Sequence, residues 1–173
     1  MNQDLKNLNR IEFVVTMACT GKCKHCSEGD HVRCPEHIDA DVAAAVVQRI
    51  CERHRITSLM TFGGEALLYP DTVCAIHSAA TALGIPQRQL ITNGFFSNRP
   101  ERIEAVARAL ADSGVNDLLL SVDAFHQETI PIVPRRPTRR PLRLRPRPKR
   151  LRRSPAASAA PARTRLLPPR KLP

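Results

Sequence analysis

The chain has 173 residues, enough for one domain with a core of its own. No stretch approaches the roughly 18–20 continuous apolar residues of a membrane span, and Met1 to Lys6 lack the apolar run of a secretory signal, so the expected location is cytoplasmic. The formal net charge of +11 divides unevenly: residues 1–130 carry 12 Lys+Arg against 16 Asp+Glu, whereas residues 131–173 carry 15 Lys+Arg, no acid and 11 of the 15 prolines. Two kinds of polypeptide therefore meet near Pro131.

The first part alternates strand-like and helix-like segments. Residues 11–16 (Ile-Glu-Phe-Val-Val-Thr) predict a first strand. Asp39 is a good N-cap for a helix to about His54, with Val42, Val46 and Ile50 spaced i, i+4, i+8 as its expected buried face. Residues 57–62 predict a second strand ending at Gly63-Gly64. A second helix is expected over 70–83 with Val73, Ile76 and Ala80 inward, followed by Gly84 at C′ and Pro86 beyond. Residues 88–92 predict a third strand closing at Asn93-Gly94. Pro100 opens a third helix with Ile103, Val106 and Leu110 inward and Gly114 at its end, and residues 117–122 predict a fourth strand. The order β-α-β-α-β-α-β with short loops implies an α/β fold with a parallel sheet. Chemistry in such folds gathers at the carboxyl ends of the strands.

The unusual residues fall at those ends. After the first strand comes Cys19-Thr20-Gly21-Lys22-Cys23-Lys24-His25-Cys26, three thiols spaced C-x3-C-x2-C in a tight loop. Three ligands leave open the fourth position that a sealed tetrahedral site would fill. Gly63-Gly64-Glu65 follows the second strand, Asn93-Gly94 the third, and Ser121 and Asp123 the fourth. Two glycines permit close approach of a ligand to the backbone, and Glu65 could meet an ammonium group. Taken singly, Gly63-Gly64 and Asn93-Gly94 are also ordinary turns, and Asp123 could cap a following segment as readily as line a polar pocket.

Alternatives stay open at the level of residues. Cys34 or His25 could complete a structural zinc site, although no second C-x2-4-C pair exists in the chain. Lys22 and Lys24 would favour an anionic thiolate-bound cluster or stand as solvated charges. Cys51 and Cys74 read as small buried apolar residues. His126, like His31, His37, His54 and His77, has no partner identifiable from the sequence. Six cysteines, three of them clustered, fit a reduced metalloprotein better than a disulfide scaffold.

Together the cysteine loop, Gly63-Gly64-Glu65-Ala66 where Gly-Gly-Glu-Pro is usual, and Ser121-Val122-Asp123-Ala124-Phe125-His126 resemble the radical S-adenosylmethionine (SAM) enzymes over about residues 9–130. The resemblance implies a partial (β/α) barrel of about four parallel strands and three helices. It implies Cys19, Cys23 and Cys26 on three irons of a [4Fe-4S] cluster, with SAM chelating the fourth. It further implies the Gly63-Gly64-Glu65 turn at the methionine amino group, His25 against the adenine, and Asn93, Ser121 and Asp123 at the ribose and methionine end. The implied reaction is reductive cleavage of SAM to a 5′-deoxyadenosyl radical and hydrogen abstraction from an unknown substrate, supported by an electron donor such as a flavodoxin or ferredoxin.

The family's barrel has six βα units, whereas the strand and helix pattern here stops near Ile130. On that expectation residues 1–130 are an incomplete core of doubtful activity, with an uncovered apolar edge at Leu118-Leu119-Leu120. Residues 131–173 are expected to be disordered, since Arg, Pro and Ala without aromatics bury too little apolar surface. Translation out of frame is the favoured account of this tail. The competing reading is a non-catalytic zinc-binding module whose basic tail binds nucleic acid.

Overall fold

The computed structural model describes residues 7–29 and 36–130. His31, Cys34 and the whole of 131–173 lie outside the described residues, and so do the expectations of a disordered, out-of-frame or nucleic-acid-binding tail.

Four strands form one parallel sheet in the order β1-β2-β3-β4: Arg10–Val14, Ser58–Phe62, Gln87–Thr92 and Asp117–Leu120. Three long helices connect them, α1 Ala40–Cys51, α2 Pro70–Ala82 and α3 Pro100–Ser113. The expected α/β class and parallel order are both present. Strand β1 ends earlier than the sequence pattern suggested. Val15 N–H still donates to Phe62 O at 2.8 Å, but Thr16 pairs with His37 in an isolated antiparallel bridge. The returning chain, rather than β2, takes the end of that apolar run.

The helices begin and end where local chemistry dictates. Asp39 accepts from the N–H groups of Asp41 and Val42 at 3.0 and 2.9 Å, fixing the start of α1. Pro70 and Pro100 occupy first-turn positions of α2 and α3. Gly114 (φ 91°) ends α3 in the left-handed region, and a Cβ there would lie 2.2 Å from Thr81 Oγ1, so the α2–α3 contact also requires glycine.

Burial sets which helix faces matter. Val73, Ile76 and Ala80 of α2 are fully buried, as expected. On α1 the expected stripe is displaced: Val42 and Val46 are exposed, while Ala43 and Val47 are buried and Ile50 and Cys51 pack against the core. The Ala43-Ala44-Ala45 run hides the choice, because spacing alone fits both faces and the small Ala43 allows close approach to the sheet. On α3, Val106 and Leu110 are buried but Ile103 is exposed; the stripe ends instead on buried Ser113, whose hydroxyl donates to Leu110 O at 2.9 Å. Hydrophobic spacing cannot reveal a core position occupied by serine. Cys51 and Cys74 are half-buried rather than fully buried.

Two short elements went unread. A 3-10 turn, Ala66–Leu68, follows the Gly-Gly-Glu segment, and a fourth helix, α4 (Ala124–Gln127), follows β4. Each spans about one turn, too short for any periodic signal. Among the described residues, no helix is long and apolar enough to cross a membrane.

Candidate functional site

A cleft of about 350 Å³ opens at the carboxyl ends of the strands, within the range of about 300–1,000 Å³ common for ligand sites. Cys19, Cys23, His25 and Cys26 line it from the first loop, Phe62, Gly63 and Gly64 from the second, Asn93 from the third and Ser121 from the fourth. The structure thus gathers most residues singled out in the sequence around one opening. A larger concavity of about 610 Å³, lined by Arg53, His54, Arg55 and Gly84 among others, lies at the opposite ends of the strands and contains none of the candidate cofactor or metal residues.

The three cysteines are half-buried and free. Burial pushes the Cys19 thiol up; the Gly21 N–H opposes this, while Glu65 and the other two cysteines add to it. Cys23 is raised by burial and then by Cys26 and Asp123, with Thr129 acting the other way. Neighbouring cysteines thus add to the upward push on Cys19 and Cys23, which makes these thiols poor neighbours as anions, and a cationic metal centre would remove that conflict. This donor set fits an iron–sulfur cluster held by three protein ligands.

The glycine pair is sterically compelled. A Cβ at Gly63 (φ 144°) would lie 2.4 Å from Thr16 O, and one at Gly64 would lie 2.2 Å from Ala18 O. The N–H groups of Gly64 and Glu65 donate to Thr16 O and Ala18 O, both at 2.8 Å, binding the turn edge-on to the chain that enters the cysteine loop. The backbone at the end of β2 is therefore pressed against the first loop and cannot carry side chains there.

Glu65 corrects the sequence reading. Its side chain is completely buried and is not part of the cleft wall. Oε1 accepts from Leu67 N–H at 2.9 Å and from the Thr92 hydroxyl at 2.7 Å, while Oε2 accepts from Asn93 N–H at 2.8 Å. Burial raises its pKa against the pull of these donors. A carboxylate occupied by three donors of its own chain is a brace between β2 and β3. What the turn presents to the cleft is the backbone of Gly63 and Gly64.

Asn93 stands on the rim with its amide Nδ2 3.6 Å from Cys19 Sγ and 3.1 Å from Thr20 Oγ1. Asp123 caps α4, with Oδ1 accepting from Phe125 and His126 N–H groups at 2.9 Å. The hydrogen bonds of that cap lower its pKa. Its other oxygen lies 2.8 Å from His126 Nδ1 and 3.7 Å from His25 Nε2, so the cap and a link to His25 coexist. His25 also packs on Phe125 at 4.7 Å between ring centroids.

Four of the histidines that lacked an identifiable partner lie among the described residues, and three of them acquire one. His126 meets Asp123, His77 meets Thr61 Oγ1 at 2.9 Å, and His37 stacks on Tyr69 at 3.9 Å. Lys24 pairs with Glu128 at 3.2 Å while remaining mostly exposed. Sequence reasoning missed residues 127–130. Thr129 accepts from Lys22 N–H at 3.1 Å, and Ile130, 6% exposed, packs against Gly21. Thr92 was also missed. A threonine at a strand end carries no distinguishing signal until its partner across the sheet is known.

No curated protein matches the chain. The sequence model of the radical SAM superfamily matches residues 13–152, beginning in β1, spanning the cysteine loop and all four strands, and continuing beyond the described residues. With that match over most of its length and the cleft described above, the chain belongs to the radical SAM superfamily.

Proposed function

We propose that the cleft binds a [4Fe-4S] cluster through Cys19, Cys23 and Cys26 and SAM beside it. The supporting observation is the convergence of three free thiols and the side-chain-free Gly63-Gly64 backbone on one opening. When bound, the cluster and SAM would supply single-electron cleavage of a sulfur–carbon bond and hydrogen abstraction from a substrate. The chain's part is positioning. The Gly63-Gly64 backbone faces the methionine ammonium, His25, held by its packing on Phe125, faces the adenine, and Ser121 and Asn93 offer polar groups at the ribose and carboxylate. Asp123 orients His25 from the fourth strand end. Ile130 and Thr129 hold the cysteine loop from the far end of the fold, at Gly21 and Lys22.

An external one-electron donor of ferredoxin or flavodoxin type completes the reading, and the substrate is unidentified. Anaerobic reconstitution with iron and sulfide, followed by SAM and dithionite, tests it. A broad brown chromophore, lost in Cys23→Ala, together with release of 5′-deoxyadenosine is expected. A colourless protein that retains one zinc instead overturns it in favour of a structural metal module.

A further inference from the structure

Asn93 is held more tightly than a residue that only lines a ligand site needs to be. Its backbone N–H donates to buried Glu65 Oε2 at 2.8 Å. Its Oδ1 accepts from Phe95 N–H at 2.9 Å and lies 3.4 Å from the Thr20 hydroxyl; because a backbone N–H can only donate, the Phe95 contact fixes the oxygen there and leaves Nδ2 on the cysteine loop, 3.1 Å from Thr20 Oγ1. The preceding Thr92 hydroxyl donates to Glu65 Oε1 at 2.7 Å and accepts from Gly94 N–H at 2.9 Å, fixing the chain on both sides of Asn93. Nδ2 then lies 3.6 Å from Cys19 Sγ, a normal N–H···S separation, and Cys19 also accepts from Gly21 N–H at 3.3 Å. Glu65, which itself takes no place in the cleft wall, is fully buried at the root of this chain.

We infer that Asn93 is a positioning residue that tunes the cluster's reduction potential through an Nδ2–H···Sγ hydrogen bond to Cys19, with Glu65 and Thr92 as its buried brace. This rests on the cluster reading above. A donor at a ligand sulfur withdraws electron density from the thiolate, and it stabilises the more negative reduced state more than the oxidised one. The hydrogen bond therefore makes reduction easier. Because the brace runs from the Gly-Gly-Glu turn through the end of β3 to the first cysteine, it couples three strand ends to one electronic property.

The experiment is a mediated redox titration of the reconstituted full chain without SAM, followed by electron paramagnetic resonance. Asn93→Asp keeps the Oδ1 acceptor for Phe95 and nearly the same shape but removes the donor, whereas Asn93→Ala removes both without adding charge. Each is expected to lower the reduction equilibrium constant on the order of threefold to tenfold, tenfold being about 59 mV for a one-electron couple. The effect should be larger for Asn93→Asp. Thr92→Val, which removes one strut of the brace, should shift it in the same direction by less, and Ser97→Ala should leave it unchanged. Unchanged potentials in both Asn93 variants overturn the inference. Loss of the cluster in both also overturns it, because a tuning contact leaves three thiolates intact; loss in one leaves the other to decide. Failure of the wild-type chain to hold any cluster is a different result and counts against the function proposed above.

Discussion

Strands β2 and β4 carry the same sequence signal, a short apolar run leading to polar residues, yet their surroundings are opposite. In β2, Ser58, Leu59, Met60 and Thr61 are all buried between β1 and β3. In β4, Leu118, Leu119 and Leu120 are 59%, 48% and 55% exposed, and Val122 and Phe125 beyond them are also exposed. The apolar run marks a strand in both cases; only neighbours on each side and a covering helix make it core. Strand β2 has α1 and α2 over one face, whereas β4 has β3 on one side and a single-turn helix after it.

Truncating each strand separates the two environments most sharply. Leu59→Ala, at a fully buried position, should destabilise by about 2–5 kcal/mol. Leu118→Ala should cost no more than about 0.5 kcal/mol, as expected of a surface position. Urea unfolding followed by circular dichroism reads both. Equal losses would show that β4 is as well covered as β2.

A second way to break the comparison is to charge the cover of β2. His77 of α2 is completely buried on Thr61, and its Nδ1 has no hydrogen-bond partner. Burial first, and Arg88 second, push its pKa down to about 4 from the usual 6.5. A folded-state pKa below the unfolded one means that the unfolded chain binds the proton first. The stability this neutral ring permits is complete above pH 6.5 and is lost progressively towards pH 4, by about 3 kcal/mol. Glu65 acts in the opposite sense, because its raised pKa withdraws stability as pH rises through it. Comparing wild type with His77→Leu at each pH cancels the Glu65 contribution. Wild type should lose stability relative to the variant as the pH falls; a constant difference would mean that the fold does not lower the pKa of His77.

The same contrast explains what was legible in the sequence. The strands and long helices follow from local pattern and caps, so Asp39, Pro100, Gly84 and Gly114 sit where their chemistry predicts. The cysteine loop and the glycine pair were legible because their spacing and lack of side chains are local properties. The role of Glu65 was not, because two of its three donors, Thr92 and Asn93, come from the end of another strand. For the same reason Thr129 and Ile130 went unread: they act on Gly21, Lys22 and Cys23, more than a hundred residues earlier. Val42 and Ala43 show the remaining failure. Two helical faces satisfied one pattern, and only packing chose between them.

The smallest effect on folding is the one with most to say about β4. Leu118 and Leu120 alternate with Leu119 along the strand, so they share a face of the sheet, and both are exposed. Leu118→Thr with Leu120→Thr preserves β propensity while removing apolar surface from a strand that, among the described residues, is paired on one side alone. The double variant should leave stability within about 1 kcal/mol of wild type and reduce concentration-dependent self-association in sedimentation velocity. Reduced association with unchanged stability places the liability at the open edge. A loss comparable with Leu59→Ala would mean that another part of the chain covers these leucines in solution, so that β4 belongs to the core as β2 does.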